Sequence, residues 1–389
     1  MKKIGIYGGT FNPPHLGHVR AAQYALDALC LEKLLIIPSC ISPHKKLPEG
    51  SATPEQRLRM LQLCFDDPRI LVSDLELSRG GTSYTWQTVA QLREQYPEDK
   101  LVLLMGTDMF LSFMNWREPE RILKDAALGV FYRGDRDEMT AVSAHKEKMQ
   151  AMGAEIYLVE NPVTEISSTD LRRMIVFGCA DEFLMPRAGE FIRENGLYSP
   201  CLKHIPEEEL EQQVTRLLKP NRVAHVLGCR DTAVKLAKIW GADPVDAARA
   251  GLLHDITKAL DGPLQLTLCR AYGVALSDFS VHNPKTLHAL TGSLVAERIF
   301  GENPAVVSAI KSHTTGKPAM NTLEKIIYVA DYMEPNRNFD GVDELRELAF
   351  TDLDAALKMG LTMTLEVLKK EGKEISPESR QALDYLNCK

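Results

Sequence analysis

The sequence predicts two domains of different class: an α/β domain on a mostly parallel sheet over residues 1–198 and an all-α domain over residues 207–389, joined by a connector at 199–206. Three observations predict this. Up to about residue 198, short apolar, β-branched runs alternate with amphipathic stretches, which is the pattern of successive βαβ units. After Tyr198-Ser199-Pro200 the 3.6-residue helical period is almost the only one left. The length of 389 residues, at about 150 residues per domain, leaves room for two or three domains and rules out a single small module.

In chain order, Ile4–Tyr7, Leu34–Ile37, Ile70–Ser73, Leu101–Met105, Leu128–Tyr132 and Ile156–Val159 read as strands. Helical patterns lie between most of them, as at Gly17–Cys30, Pro54–Phe65 and Thr85–Tyr96. In such a sheet ligands bind beyond the carboxyl ends of strands, so the residues just after each strand are the ones to inspect. The segment Cys201–Glu209, with Pro206 and an acidic run, reads as a connector leading into a helix start. Beyond it the clearest helices are Ala247–His254, Leu287–Ile299, Ala305–Ser312, Leu323–Tyr332 and Asp352–Lys369. Neither half has a 20–50 residue repeat, which excludes a solenoid.

Composition narrows the function classes. The net charge of −7 divides almost evenly, with 23 basic against 27 acidic residues before residue 199 and 23 against 26 after it. Neither half is a basic module, so a nucleic-acid scaffold is excluded. No apolar run approaches the roughly 20 residues that a bilayer span needs, and the N-terminus has no signal-peptide pattern; a cytoplasmic protein is expected. The eight cysteines form no C-x-x-C pair, which argues against structural zinc and a disulfide framework.

Directly after the first strand stands Gly8-Gly9-Thr10-Phe11-Asn12-Pro13-Pro14-His15-Leu16-Gly17-His18, with a helix beginning at its end. Glycines let backbone approach a phosphate, and two histidines three apart at a helix N-terminus can donate to it beside free N–H groups. A second helix start, Ile166-Ser167-Ser168-Thr169-Asp170-Leu171-Arg172, offers hydroxyls, N–H groups and an arginine to the outer phosphates of a triphosphate. Together the two segments make a clamp. Gly106 and Asp108 follow the fourth strand, and Asp108 is a candidate ribose or Mg²⁺ partner.

In the helical half His225, His254-Asp255, His288, His313 and Asp331 fall on or beside helices and outside charged runs. Asp331 shares a face with Leu323, Ile327 and Ala330, and an inward carboxylate is costly unless it is paired or metal-bound. Histidine with carboxylate and no cysteine suits Fe, Mn or Zn in a hydrolytic site. Six ligands suit two ions sharing a carboxylate. His282 competes with His288, which is preferred because it opens an amphipathic helix; His145 and His204 read as surface residues.

Residues 1–198 resemble the nucleotidylyltransferase superfamily, whose H-x-G-H motif is met by His15–His18 and whose I-S-S-T-x-x-R motif is met by Ile166–Arg172. Thr82-Ser83-Tyr84-Thr85, Gly106-Thr107-Asp108 and Trp116 make the likeness closest to bacterial nicotinate-mononucleotide adenylyltransferases. The resemblance implies a Rossmann-like domain that transfers AMP from ATP, with Mg²⁺, to nicotinate mononucleotide, giving deamido-NAD and pyrophosphate. It implies that Gly8, Gly9, Thr10, Phe11, Gly106, Asp108 and Ile166, Ser167, Ser168 and Thr169 bind ATP, with His15, His18 and Arg172 catalytic. Tyr84, Thr85 and Trp116 would hold the nicotinate, and His44 and Lys45 would face phosphates. Residues 207–389 resemble the HD-domain phosphohydrolases, in particular the branch that splits diadenosine tetraphosphate symmetrically into two ADP. That implies a di-iron-type centre, with Mn or Zn as alternatives, on His225, His254, Asp255, His288, His313 and Asp331, where Asp255 is also catalytic. Arg222, Lys258 and Arg337 would bind phosphate. The rival readings are pantetheine phosphate or nicotinamide mononucleotide as acceptor, another phosphoester in the helical half, or a helical half that senses a nucleotide without cleaving it. Oligomeric state is left open.

Overall fold

The apolar runs of the first half become six strands: β1 (Lys3–Gly9), β2 (Lys33–Pro38), β3 (Ile70–Val72), β4 (Lys100–Gly106), β5 (Ala126–Tyr132) and β6 (Ile156–Glu160). The structure is a computed structural model and describes residues 2–43, 46–132, 136–160 and 166–388. Every strand pairing is parallel, and the order is β3-β2-β1-β4-β5-β6. Successive side chains of a strand point to opposite faces, so near-continuous apolar runs fill two cores at once. Ile4, Ile6, Leu35, Ile37, Leu103 and Val130 pack on one face, while Leu34, Ile36, Val102 and Leu104 pack on the other. Each such burial contributes about 1.5–3 kcal/mol. The strand order reverses between β1 and β4. Crossovers leave in opposite directions there, which opens a crevice at the carboxyl ends.

The chain divides into two compact units, Met1–Pro200 and Cys201–Lys389. Every named strand lies in the first unit. The second is helical among its described residues, and its main helices start on side-chain caps or early prolines. Asp243 accepts from the Val245 N–H, Asn303 from Ala305 and Val306, and Asn321 from Glu324. Pro220, Pro244, Pro304 and Pro377 stand in first turns, where a missing N–H costs nothing.

Within the segment expected as a connector, 199–206, the His204 N–H donates to the Phe300 carbonyl and the Ile205 carbonyl accepts from Arg249. Buried Ile205 gives that segment an apolar anchor the acidic run concealed. The helix expected over Leu287–Ile299 is α-helical for Leu287–Val295 and finishes as a wider π-turn, Ala296–Phe300, stopped by Gly301 at φ 70°.

Candidate functional site

In the first unit a cavity of about 1000 Å³ opens at the sheet's switch point. Gly8, Gly9, Thr10, Phe11, His15 and His18 line one part of it, and Ile166, Ser168, Thr169 and Arg172 come up beside them. Phe11 sits at φ 48°, in the left-handed region, with its ring edge-on to Tyr7 at 5.6 Å and to His18 at 5.0 Å. That turns the loop back over β1.

The helix Leu16–Ala28 begins beside His15, whose backbone N–H donates to His18 Nδ1 at 3.2 Å. A ring nitrogen that accepts carries no proton, so neutral His18 must hold its hydrogen on Nε2. Burial holds His15 down to about 4, and burial together with His15 holds His18 well below its ordinary value. The two rings, with centroids 3.6 Å apart, are therefore neutral at pH 7. Neutral imidazoles can serve an anion only as hydrogen-bond donors, and the positive charge at the cavity wall comes from Arg172 and Lys46. The Arg172 guanidinium donates to the Asn12 carbonyl at 2.7 Å and to Thr169 Oγ1 at 3.1 Å.

Ser168 and Thr169 face the cavity at the N-terminus of the helix Ser168–Val176. Ser167 does not. It caps that helix, accepting from the Asp170 N–H at 3.0 Å. Asp108, Gly106, Thr85 and Trp116 line the cavity, joined by Ser83, Thr88 and Glu76. Tyr84 is absent from its walls, because its ring lies under the Arg117 guanidinium at 4.7 Å. His44 and Lys45 lie outside the described residues. His145 is not a simple surface residue, since its ring packs edge-on against buried Phe110 at 4.8 Å. Among residues the motifs did not single out is Ser39, which lines the cavity with its buried hydroxyl unpartnered.

In the second unit five helices bring six side chains to one point. His225 comes from Pro220–Trp240, His254 and Asp255 from the end of Pro244–Leu253, His288 from the start of Leu287–Val295, His313 from the end of Pro304–Ser312, and Asp331 from the last turn of Thr322–Met333. Glycine lets the first two helices touch: a Cβ at Gly251 would lie 2.7 Å from Arg230 Cα. That approach brings His254 Nε2 within 3.2 Å of His225 Nε2. His225 Nε2 is 3.1 Å from Asp331 Oδ1. Asp255 turns Oδ2 toward His225 and His254, both at 3.7 Å, and Oδ1 toward His288 at 3.4 Å and His313 at 3.7 Å.

Outer hydrogen bonds fix every imidazole. Nδ1 of His254, His288 and His313 donates to the carbonyls of Gly251, Lys285 and Ile310 at 2.7–2.8 Å, and His225 Nδ1 donates to Glu334 Oε1 at 3.1 Å. All four Nε2 lone pairs are thereby turned inward, which is the arrangement of metal ligands. Burial pushes the Asp255 carboxyl up, but His254, His313, Lys258 and His288 outweigh it and hold it well below the carboxylate range. Burial likewise pushes Asp331 up, and His225, His254 and Arg337 carry it well below. Both are anions. Asp255 Oδ1 is buried with no hydrogen-bond partner, an orphan that a cation would satisfy. Two groups, His225-His254-Asp331 and His254-Asp255-His313, have ligand atoms within 4.8 Å of one another. The residues fit divalent metal.

Arg222 bonds Asp255, Arg337 donates to Asp331 Oδ1 at 2.7 Å, and Lys258 Nζ lies 2.7 Å from His288 Nε2. The three cations expected on phosphate thus stand on the cage itself. His282 is exposed, its Nδ1 on the Asp278 carbonyl, so His288 is the residue brought into the cage. Glu334 and Thr314 were not singled out from the sequence. Glu334 is seated against Gly228, where any side chain would strike its carboxylate. Thr314 Oγ1 lies 3.1 Å from both His288 and His313 Nε2.

Comparison with known proteins follows the same division. Residues 6–174 match the cytidylyltransferase-like family, and residues 222–336 match the HD domain. The chain is 35% identical over 198 residues to a protein of Dictyoglomus thermophilum described as "Probable nicotinate-nucleotide adenylyltransferase", covering 50% of this chain and 99% of that one. It is 37% identical over 182 residues to the symmetrical bis(5'-nucleosyl)-tetraphosphatase of Bacillus subtilis, covering 46% and 96%. An HD superfamily hydrolase of Clostridium acetobutylicum, of solved structure, is 39% identical and covers 47% of this chain and 98% of its own, with a TM-score of 0.46.

Proposed function

We propose a bifunctional enzyme, on the premise that the chain belongs to two families at once: the nicotinate-nucleotide adenylyltransferases, of cytidylyltransferase-like type, through its first half, and the HD-domain symmetrical bis(5'-nucleosyl)-tetraphosphatases through its second. The first half transfers AMP from ATP to nicotinate mononucleotide, releasing pyrophosphate. The second splits diadenosine tetraphosphate into two ADP.

For the first half the observation that carries the reading is the convergence of two helix N-termini, two neutral imidazoles and Arg172 on one cavity. The acceptor's own phosphate is already a nucleophile, so no catalytic base is needed. Alignment of two bound reactants can be worth about 7–11 kcal/mol. His18 Nε2–H, backbone N–H groups of the Gly8–Phe11 loop and Arg172 then meet charge developing on the α-phosphate and the departing pyrophosphate. Mg²⁺ arrives with ATP. Thr85 and Trp116, at the cavity wall, are assigned to the nicotinate ring, with His44 and Lys45 on phosphate.

For the second half it is the cage, with four inward lone pairs and two buried carboxylates. Two divalent ions, of which iron suits the mixed imidazole and carboxylate set, would polarise the phosphate and activate water when bound. Asp255, whose Oδ2 faces His225 and His254 and whose Oδ1 faces His288 and His313, would serve both positions. His225, His254 and Asp331 serve one side, and His288 and His313 the other. Arg222 and Arg337, which lie on the carboxylates, and Lys258, which lies on His288, would turn to substrate phosphate. The cytoplasm is the proposed setting; no helix among the described residues is long and apolar enough to cross a membrane.

One preparation tests both. With ATP and nicotinate mononucleotide it should release pyrophosphate, and a strong preference for the nicotinamide analogue would overturn the acceptor. With diadenosine tetraphosphate and Fe²⁺ or Mn²⁺ it should give only ADP, whereas ATP plus AMP would sink the symmetrical cleavage.

A further inference from the structure

Among the described residues Arg57 is the largest fully buried side chain, at 0% exposure. It projects from the helix Pro54–Gln62, and its guanidinium donates to three backbone carbonyls: Thr10 at 2.7 Å, Ser39 at 2.6 Å and Cys40 at 3.2 Å. These belong to two loops, after β1 and after β2, and Thr10 and Ser39 line the cavity. Nε is buried without a hydrogen-bond partner. Among the described residues no carboxylate lies within ion-pair distance of Arg57, so its positive charge is buried directly against carbonyl dipoles, with Glu55 acting on it only from beyond that distance. Burying an unpaired charge is expensive. An architecture that needed only to tie two loops could do so with a neutral amide.

Two features tie that charge to the site. The Asn12 carbonyl, two residues after Thr10, is held in turn by Arg172, so two guanidinium groups grip one phosphate loop. The Ser39 carbonyl shares its peptide with the Cys40 N–H, which donates to Ser83 Oγ at 2.9 Å on another stretch of the wall. A cation on a carbonyl polarises the peptide and strengthens the N–H on its far side as a donor. We propose that Arg57 is a positioning residue of the transfer site, a buried positive charge that sets the loops at residues 10 and 39–40 and whose counter-charge is the substrate's phosphate chain. This rests on the transferase reading of the first half.

The test is calorimetric titration of the full chain with inorganic tripolyphosphate at pH 7, comparing wild type, Arg57→Lys and Arg57→Gln, with far-UV circular dichroism as the folding check. Loss of one nearby unit charge should weaken tripolyphosphate binding by Arg57→Gln at least about tenfold, while Arg57→Lys stays within about threefold of wild type. Equal losses in the two variants, or none in Arg57→Gln, overturn the role of the charge. A wild type that binds no tripolyphosphate overturns the transferase reading and this proposal with it. If Arg57→Gln does not fold, Arg57→Lys decides by kinetics. With the charge kept and the fork lost, kcat should fall about tenfold while KM for ATP holds within about threefold, and a matching rise in KM refutes the proposal.

Discussion

The two sites use histidine in opposite senses, and the neighbour of Nδ1 decides which. In the first half His18 Nδ1 accepts from a backbone N–H, so Nε2 carries the hydrogen and can donate to an anion. In the second half Nδ1 of His254, His288 and His313 donates to backbone carbonyls, so Nε2 offers a lone pair to a cation. The same imidazole thus serves a phosphate clamp in one unit and a metal cage in the other. Charge follows the same logic. Arg57 and Arg172 face carbonyl oxygens in the first site, whereas Asp255 and Asp331 are buried anions in the second.

The comparison breaks most sharply at the carboxylates. Asp255→Ala should remove hydrolysis of diadenosine tetraphosphate by a factor of about 10³ or more, since both halves of the cage lose a ligand, and leave AMP transfer unchanged. His18→Ala should do the reverse, lowering transfer about 10²- to 10³-fold, as for one lost donor to developing charge, with hydrolysis intact. Coupled product assays on each variant check both; loss of both activities from either change would mean that the sites are not independent.

Glu334→Gln sharpens the comparison because it alters only what stands behind a ligand. The amide cannot carry the carboxylate's charge, so metal affinity measured by chelator competition should fall about 10- to 100-fold while the fold persists. The smallest effect concerns pH. His15 sits at about 4 when folded against about 6.5 unfolded, so the unfolded chain binds the extra proton. Its contribution is complete above pH 6.5 and is lost as pH falls toward 4, at most about 3 kcal/mol. Urea titrations at pH 7 and pH 5 should show this slope in wild type and a flatter one in His15→Asn.

The strands were legible because residues buried on both faces must be apolar without interruption, as Leu101–Met105 is. The cage was legible because a histidine or an aspartate on an apolar helix face must be matched by a partner or an ion before it can be buried. What escaped depends on neighbours distant in sequence. Glu334 lies between Met333 and Pro335 and reads as an ordinary helix end; only Gly228, on another helix, shows that room is kept for it. Tyr84 stands inside a recognisable motif, yet Arg117 draws its ring from the cavity wall. Ser167 satisfies the phosphate motif and an N-cap equally well, and the cap takes it.

The close approach at Gly251 has a topological consequence. It delivers His254 to a histidine 29 positions earlier, and the same histidine is held by Glu334, 109 positions further on. An ion bound by His225 and Asp331 closes nearly the same loop, as a cross-link would, and removes freedom chiefly from the unfolded chain. The centre that performs hydrolysis would then also serve as the knot of the helical half, and stripping it should lower that half's melting temperature selectively.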